Sequence, residues 1–416
     1  MTPPSHSSPL APFRVKSFAF QWPADLATSW AFEMETLILG WYVFTATGSV
    51  QMLVLFGAIQ WAGSLLSPLF GVAGDRIGHR TLLLVTRIAY AVLASVLMLL
   101  SLGGLLAPWQ VFVVATLVGL MRPSDLVMRN TIIAQTMHGS ELMGALAISR
   151  TTADSARIAG ALAGAGGVAA FGMGPVYVVV TLLYLLAFGL TLGVARAPRK
   201  DPATLTPATP WRDLVGAFDH VWTRPELLGA MGIAFLVNLL AFPFSMGLLP
   251  YVAREIYGVG QTGLGYLAAA FAAGGLIGSV LISSKKLPLR AARSMLAAGV
   301  VWFLLIMAFG WTHSMAAGIV LLLCAGVTHN LCLMPLAAVM LRGADEAMRG
   351  RVMGMRMLAI WGLPAGMLIA GWLVERVGFV ATTTLFTATG AILTVAIGMR
   401  WRAELWRPAA RANARL

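Results

Sequence analysis

Apolar residues fill this chain in long runs separated by short polar breaks, and the first six runs lie near residues 20–46, 50–72, 82–102, 109–130, 143–170 and 175–195. A charged, proline-containing stretch, RAPRKDPATLTPATPWRDLVGAFDHVWTRPE (196–226), interrupts the series. Six further runs follow near 227–250, 261–284, 291–311, 315–341, 352–374 and 378–399. Each run approaches the roughly 20 residues that a helix needs to cross about 30 Å of hydrocarbon. The pattern predicts an all-α polytopic membrane protein with twelve transmembrane helices. They form two six-helix halves, 20–195 and 227–399, with an N-terminal tail (1–19), the central loop (196–226) and a C-terminal tail (400–416) on the cytoplasmic side.

Glycine adds a second periodicity. It gathers in the second run (Gly57, Gly63), the fifth (Gly160 to Gly167), the eighth (Gly274 to Gly278) and the eleventh (Gly362 to Gly371), an interval of three. Small residues let helices approach closely in lipid, so this spacing predicts a three-helix unit used four times as inverted repeats. GVAGDRIG (71–78) and GWLVERVG (371–378) echo one another at the ends of spans two and eleven, on opposite membrane faces.

Composition agrees, with 59% hydrophobic and only 11% charged side chains and a mean hydropathy of +0.82. A net charge of +13 would suggest nucleic acid in a soluble protein, but its placement says otherwise. Of 29 lysines and arginines, only Arg254 and Arg376 are expected in outward loops, Arg122, Arg150, Arg157 and Arg356 lie deep within spans, and the rest lie in inward segments or at the inward edges of spans. That bias marks the cytoplasmic face of a plasma (inner) membrane protein, with both termini inside. The partners it implies are the lipid bilayer and not nucleic acid, and the basic tail RWRAELWRPAARANARL suits anionic head groups. The opening MTPPSHSSPLAPFRVKS lacks an apolar core and reads as a cytoplasmic tail, not a cleaved signal. Cys324 and Cys332 share one predicted helix about 12 Å apart along its axis, too far for a disulfide.

Ionisable residues inside a span are costly and therefore candidates for function. Span four carries Arg122, Asp125 and Arg129, and span five carries Arg150, Asp154 and Arg157. Each set makes a stripe on one helix face. The two spacings mirror one another between antiparallel helices, so they could interleave into a ladder, with Glu33 and Glu35 of span one near the level of Arg157. Two readings stand: satisfied ion pairs that hold the N-terminal half together, or proton exchange at an acid balanced between burial and a neighbouring arginine. Glu33 and Glu35 are about 200° apart on a helix, so one of them is expected to face an interior cavity. The C-terminal half offers Asn238, His329 and Asn330 and no deep acid, which suggests neutral or aromatic recognition there.

Other chemistries find no support. RVMGMRMLAIWGLPAGM is methionine-rich, but without Cys or His at ligand spacing it reads as adaptable packing and no metal site is expected. No phosphate-loop Gly-Lys-Ser/Thr and no serine or zinc hydrolase motif occurs, so neither an enzyme nor a cofactor is expected.

The stretch FGVAGDRIGHRTLL (70–83) places Gly71, Asp75, Arg76, Gly78 and Arg80 between spans two and three. With twelve spans and a long central loop, it resembles the signature of the major facilitator superfamily. LGWYVFTATGS (39–49), WRDLVGAFDHVWTRPEL (211–227) and RGRVMGMRMLAIWGLPAGMLIAGWLVERVG (349–378) are similar to the drug and siderophore exporters of its enterobactin-exporter-like branch. ARIAGALAGAGG departs from that pattern, with Ala161 where such exporters carry proline. The resemblance implies alternating access by two rocking halves, a small-molecule substrate, protons as coupling ion, and action as a monomer. It also implies a cytoplasmic gate in which Asp75 docks on the amino end of span eleven beside Arg349 or Arg351, while Arg76 reaches Asp125. Uptake of an anionic or zwitterionic compound, with Arg122, Arg150 or Arg157 as its counter-ion, is the alternative within transport. A non-transporting receptor or lipid-handling protein is the alternative of another class.

Overall fold

The computed structural model describes residues 11–66, 70, 73–74, 76–137, 139–196, 216, 218–283, 291–345 and 348–405, and these are helical with short turns between. Two compact units divide the chain, one of Met1–Ala46 with Ile59–Ala208 and the other of Thr47–Ala58 with Thr209–Leu416.

The helices are α1 (Lys16–Thr47), α2 (Val50–Ile59), α3 (His79–Leu102), α4 (Pro108–Thr136), α5 (Gly139–Phe171), α6 (Met173–Thr191), α7 (Pro225–Leu240), α8 (Gln261–Ser283), α9 (Ala291–Trp311), α10 (Met315–Gly343), α11 (Gly362–Val377) and α12 (Phe379–Arg400). Nine helices among the described residues are long and apolar enough to cross a membrane. The other three depart for stated reasons. α1 and α5 have ample length, 32 and 33 residues, but carry the charged residues that lower their hydropathy, and α2 ends after 10 residues. In lipid the backbone must satisfy its own polar groups, so an apolar run of this length has little choice but helix.

Local chemistry sets the ends and breaks. Pro108 opens α4, where its missing N–H costs nothing, and the Gln110 side chain accepts the Ala107 N–H at 2.7 Å. Gly172 (φ 80°) turns the chain from α5 into α6. Pro243 and Pro250 interrupt the seventh span, which continues beyond α7 through the π turns Pro243–Gly247 and Val252–Ile256. The eleventh span begins with a separate segment, Arg349–Ala359, before α11.

The glycines mark where helices touch. In the first unit Gly63 meets the α4 backbone at Gly119 and Leu120, and Gly160 and Gly164 of α5 meet α1 at Trp30 to Met34. In the second unit Gly274 and Gly278 of α8 meet α10 at Leu323 and Val327, and Gly362 and Gly366 of α11 meet α7 at Phe235 and Leu239. The close pairs are thus spans two and four, one and five, eight and ten, seven and eleven. Adding six to each member of the first two pairs gives the last two, and shifting by three within a half exchanges one pair for the other. That is the relation an inverted three-helix repeat requires.

Candidate functional site

The intramembrane charges of the first unit form two clusters, and neither is the expected ladder between spans four and five. The tighter cluster joins α1, α3 and α4. Arg87, fully buried in α3, pairs with Asp25 of α1 and donates to the Thr191 hydroxyl at the end of α6. Arg129 holds Asp125 at 2.5 Å one turn away on α4 and Asp25 at 3.5 Å, while Arg87 Nε lies 3.7 Å from Asp125. The ends are tied further by Gln21 donating to the Arg129 carbonyl (2.9 Å) and Arg129 donating to the Ser29 hydroxyl (3.0 Å). Two acids face two guanidiniums, the balance a low-dielectric interior demands.

This corrects two expectations. Asp125 is held by Arg129 and Arg87, not by Arg76, whose side chain is exposed. Arg87 and Asp25 are also the cluster's central pair, although the charge pattern singled out neither. The signal was present, since both lie inside predicted spans, at 82–102 and 20–46.

The second cluster is looser and lies between α1 and α5. Arg157 is shared, its Nε 3.7 Å from Glu33 and its Nη1 3.9 Å from Asp154, and Arg150 Nε lies 3.4 Å from Asp154. The Arg157 side chain is 30% exposed and that of Arg150 is 56% exposed, against 0–12% throughout the tighter cluster. Glycines position the set, because Gly160 and Gly164 draw α1 onto α5 beside Glu33.

Glu33 and Glu35 point to different neighbours, as their angular separation requires. Glu35 is buried and accepts a hydrogen bond from the Tyr184 hydroxyl of α6 at 2.8 Å. Its second oxygen has no partner among the described residues. Arg122 belongs to neither ion cluster: its guanidinium carbon lies 3.8 Å from the Phe32 ring centroid and 5.0 Å from that of Trp61.

In the second unit, two of the expected polar residues serve helix packing. Asn238 donates to the Ala234 carbonyl at 2.8 Å on its own helix, and Asn330 of α10 donates to the Gly275 carbonyl of α8. His329 instead sits among aromatic rings, with centroids 5.0 Å from Trp302, 5.2 Å from Phe242 and 5.4 Å from Phe271. Sequence reasoning missed those three partners, because an aromatic residue in an apolar span is too ordinary to stand out.

Of the expected cytoplasmic gate, Gly71 and Asp75 lie outside the described residues, as do the side chains of Arg349 and Arg351. Gly78 (φ 93°) is the residue from which α3 starts, and Arg80 donates to the Leu192 carbonyl at 2.6 Å and to that of Thr191 at 3.4 Å. The echo at 371–378 is described in full and has the same turn, with Gly378 (φ 85°) opening α12. Three residues earlier, Glu375 accepts the Gln51 backbone N–H at 3.0 Å and the Ser49 hydroxyl at 3.3 Å, while Ser49 Oγ accepts the Met52 N–H at 3.3 Å. A carboxylate thus caps the amino end of α2, the relation expected of Asp75 and span eleven with the two spans exchanged. Glu375→Ala is expected to raise amide hydrogen exchange at residues 50–54 up to about fivefold, the equivalent of ~0.3–1 kcal/mol for a charge at an exposed helix terminus. Unchanged exchange there would remove the cap from the account.

These features meet in the comparisons with known proteins. The profile of the Major Facilitator Superfamily matches residues 22–365. No curated protein matches the sequence. Among solved structures, a bacterial homologue of the human lysosomal transporter Spinster, inward-facing and unoccupied, is similar at a TM-score of 0.71 and 15% identity, over 94% of this chain and 98% of that one. A POT family transporter in complex with 5-aminolevulinic acid gives 0.70 and 14%, over 94% and 96%. The human organic anion transporter MFSD10 (TETRAN) gives 0.64 and 14%, over 92% and 99%. With twelve helical spans and glycine contacts that repeat at an interval of six, the chain belongs to the major facilitator superfamily.

Proposed function

We propose that the protein is a proton-coupled secondary transporter of the plasma (inner) membrane that exports a small amphipathic molecule, of the drug or siderophore class, by alternating access. One observation carries this reading: Arg157 is shared at long range by two carboxylates, Glu33 and Asp154, in a partly exposed cluster at membrane depth. The Asp25, Arg87, Asp125 and Arg129 cluster is short, buried and charge-balanced, which suits a structural tie. The Arg157 cluster can change partners. A proton on Glu33 cancels its charge and releases Arg157 toward Asp154, and loss of that proton restores the link between α1 and α5. Such a switch ties a proton to the separation of two helices, and the ion gradient supplies the energy without a cofactor.

Glu35, with one oxygen unpartnered, is the second exchangeable carboxyl in this account. In the second half, the His329 ring cluster offers an aromatic surface for the substrate's apolar body. Asp75, Arg76, Gly78 and Arg80, with Arg349 and Arg351, are the residues to which the family resemblance assigns the cytoplasmic gate. The branch resemblance and the transporters among the structural neighbours support the reading.

Purified protein in proteoliposomes, given a pH gradient and a fluorescent drug or a siderophore, tests it. Wild type is expected to accumulate substrate with the gradient. Glu33→Gln is expected to lose that accumulation while still exchanging substrate down its own gradient. Movement that ignores both the pH gradient and every deep acid would sink proton coupling. Accumulation inside right-side-out vesicles would mark uptake, and no movement of any substrate would favour a receptor or lipid-handling role.

A further inference from the structure

We propose that Arg122 binds an anionic group of the transported molecule, so that the substrate is a small amphipathic anion; this rests on the transport reading above. Near the middle of α4, Arg122 is at the depth where an uncompensated charge is most costly. Every other arginine inside the spans of the first unit has a carboxylate: Arg87 and Arg129 have Asp25 and Asp125, and Arg150 and Arg157 have Asp154 and Glu33. Among the described residues, Arg122 has neither an ion pair nor a hydrogen bond.

What it has is rings, Phe32 at 3.8 Å and Trp61 at 5.0 Å. Cation–π attraction offsets part of the cost of the charge and fixes the guanidinium against an apolar wall. It cannot satisfy the five N–H donors, which stay available for a planar or tetrahedral oxyanion. The Phe32 ring that Arg122 covers is next to Glu33 on α1, which sets Arg122 beside the Glu33–Arg157 pair. With Arg150, Asp154 and the Tyr184-bonded Glu35 added, three guanidiniums and three carboxylates occupy this part of the unit, but none of these carboxylates pairs with Arg122, so the counter-ion its guanidinium lacks is left for a ligand to supply. The adjoining Phe32 and Trp61 rings suit an apolar or aromatic body beside the anion. The proximity to Glu33 also gives the bound anion a means of displacing a carboxylate from Arg157, which would link binding to proton uptake.

Equilibrium dialysis of the full-length protein with benzenesulfonate, benzyl alcohol and benzyltrimethylammonium tests the site, because the three probes are aromatic and differ chiefly in charge. Benzenesulfonate is expected to bind saturably and the other two not to compete. Arg122→Gln is expected to weaken binding by about tenfold or more, as loss of a charge-assisted pair does. Arg122→Lys should retain part of it, and Arg254→Gln, in the last turn of the seventh span of the other unit, should leave it unchanged. Monodisperse elution of the Arg122 variants separates lost binding from lost folding. Equal benzenesulfonate binding by Arg122→Gln, equal binding of benzyl alcohol, or no saturable benzenesulfonate binding would each overturn the proposal. Proteoliposome uptake of benzyltrimethylammonium by both wild type and Arg122→Gln would overturn it too, while leaving the transport reading intact.

Discussion

Arg87→Met is expected to destabilise the protein by ~3–5 kcal/mol, the usual cost of removing one member of a buried ion network. The cause is what the substitution leaves behind. Asp25 loses its closest counter-ion, Asp125 keeps only Arg129, and the Thr191 hydroxyl loses its donor at the α6 end. Two buried carboxylates would then share one guanidinium. Neutralising one of them in the same chain, as Asp25→Asn with Arg87→Met, should restore at least half of the loss, because Arg129 and Asp125 would again balance. Thermal unfolding of detergent-purified protein measures both. A single variant as stable as wild type would mean that the cluster does not tie the helices, and a double variant no better than the single would mean that charge balance is not the reason.

The contrast between this cluster and the Arg157 cluster explains how much of the site could be read beforehand. That Glu33, Glu35, Asp125, Asp154 and their arginines are candidates follows from a single rule, the cost of charge in hydrocarbon, and the rule needs no structure. Pairing is different. Spacing along a helix fixes which face a residue occupies but not which helix covers that face. The mirrored stripes of spans four and five suggested a direct ladder; instead α1 supplies acids to both, Asp25 to Arg129 and Arg87, Glu33 to Arg157. The glycines that place α1 on α5, Gly160 and Gly164, were visible as small residues, but their partner was not.

The fold was more legible because the bilayer removes alternatives: an apolar run of spanning length must be a helix, and its length and flanks nearly define it. The exceptions are local. The early end of α2 at Ile59, the π turns around Pro243 and Pro250, and the interruption between Ala359 and Gly362 all lie within runs that read as continuous. Hydropathy is nearly blind to such breaks because their residues are as apolar as the helix around them.

Glycine gives the sharper test of the fold, since one substitution should act with opposite signs at two sites. In a helix interior Ala is favoured over Gly by ~1 kcal/mol from backbone entropy alone. At Gly166 of α5 a methyl would meet no atom within 4 Å, so Gly166→Ala should be neutral or stabilising. At Gly274 of α8 the same methyl would run into the Leu323 carbonyl of α10. Backbone cannot rotate away as a side chain can, so α8 and α10 would have to separate along their length, at a cost of ~1–3 kcal/mol or more. Gly278 and Gly326, which share the seam, would lose their close contacts with it. Gly274→Ala should therefore unfold at a lower temperature than wild type, and Gly63→Ala, at the corresponding contact of span two with α4, should do the same. If Gly274→Ala and Gly166→Ala changed stability alike, the α8 and α10 backbones would not be in contact, and the interval-of-six pattern would lose the pair on which half of it depends.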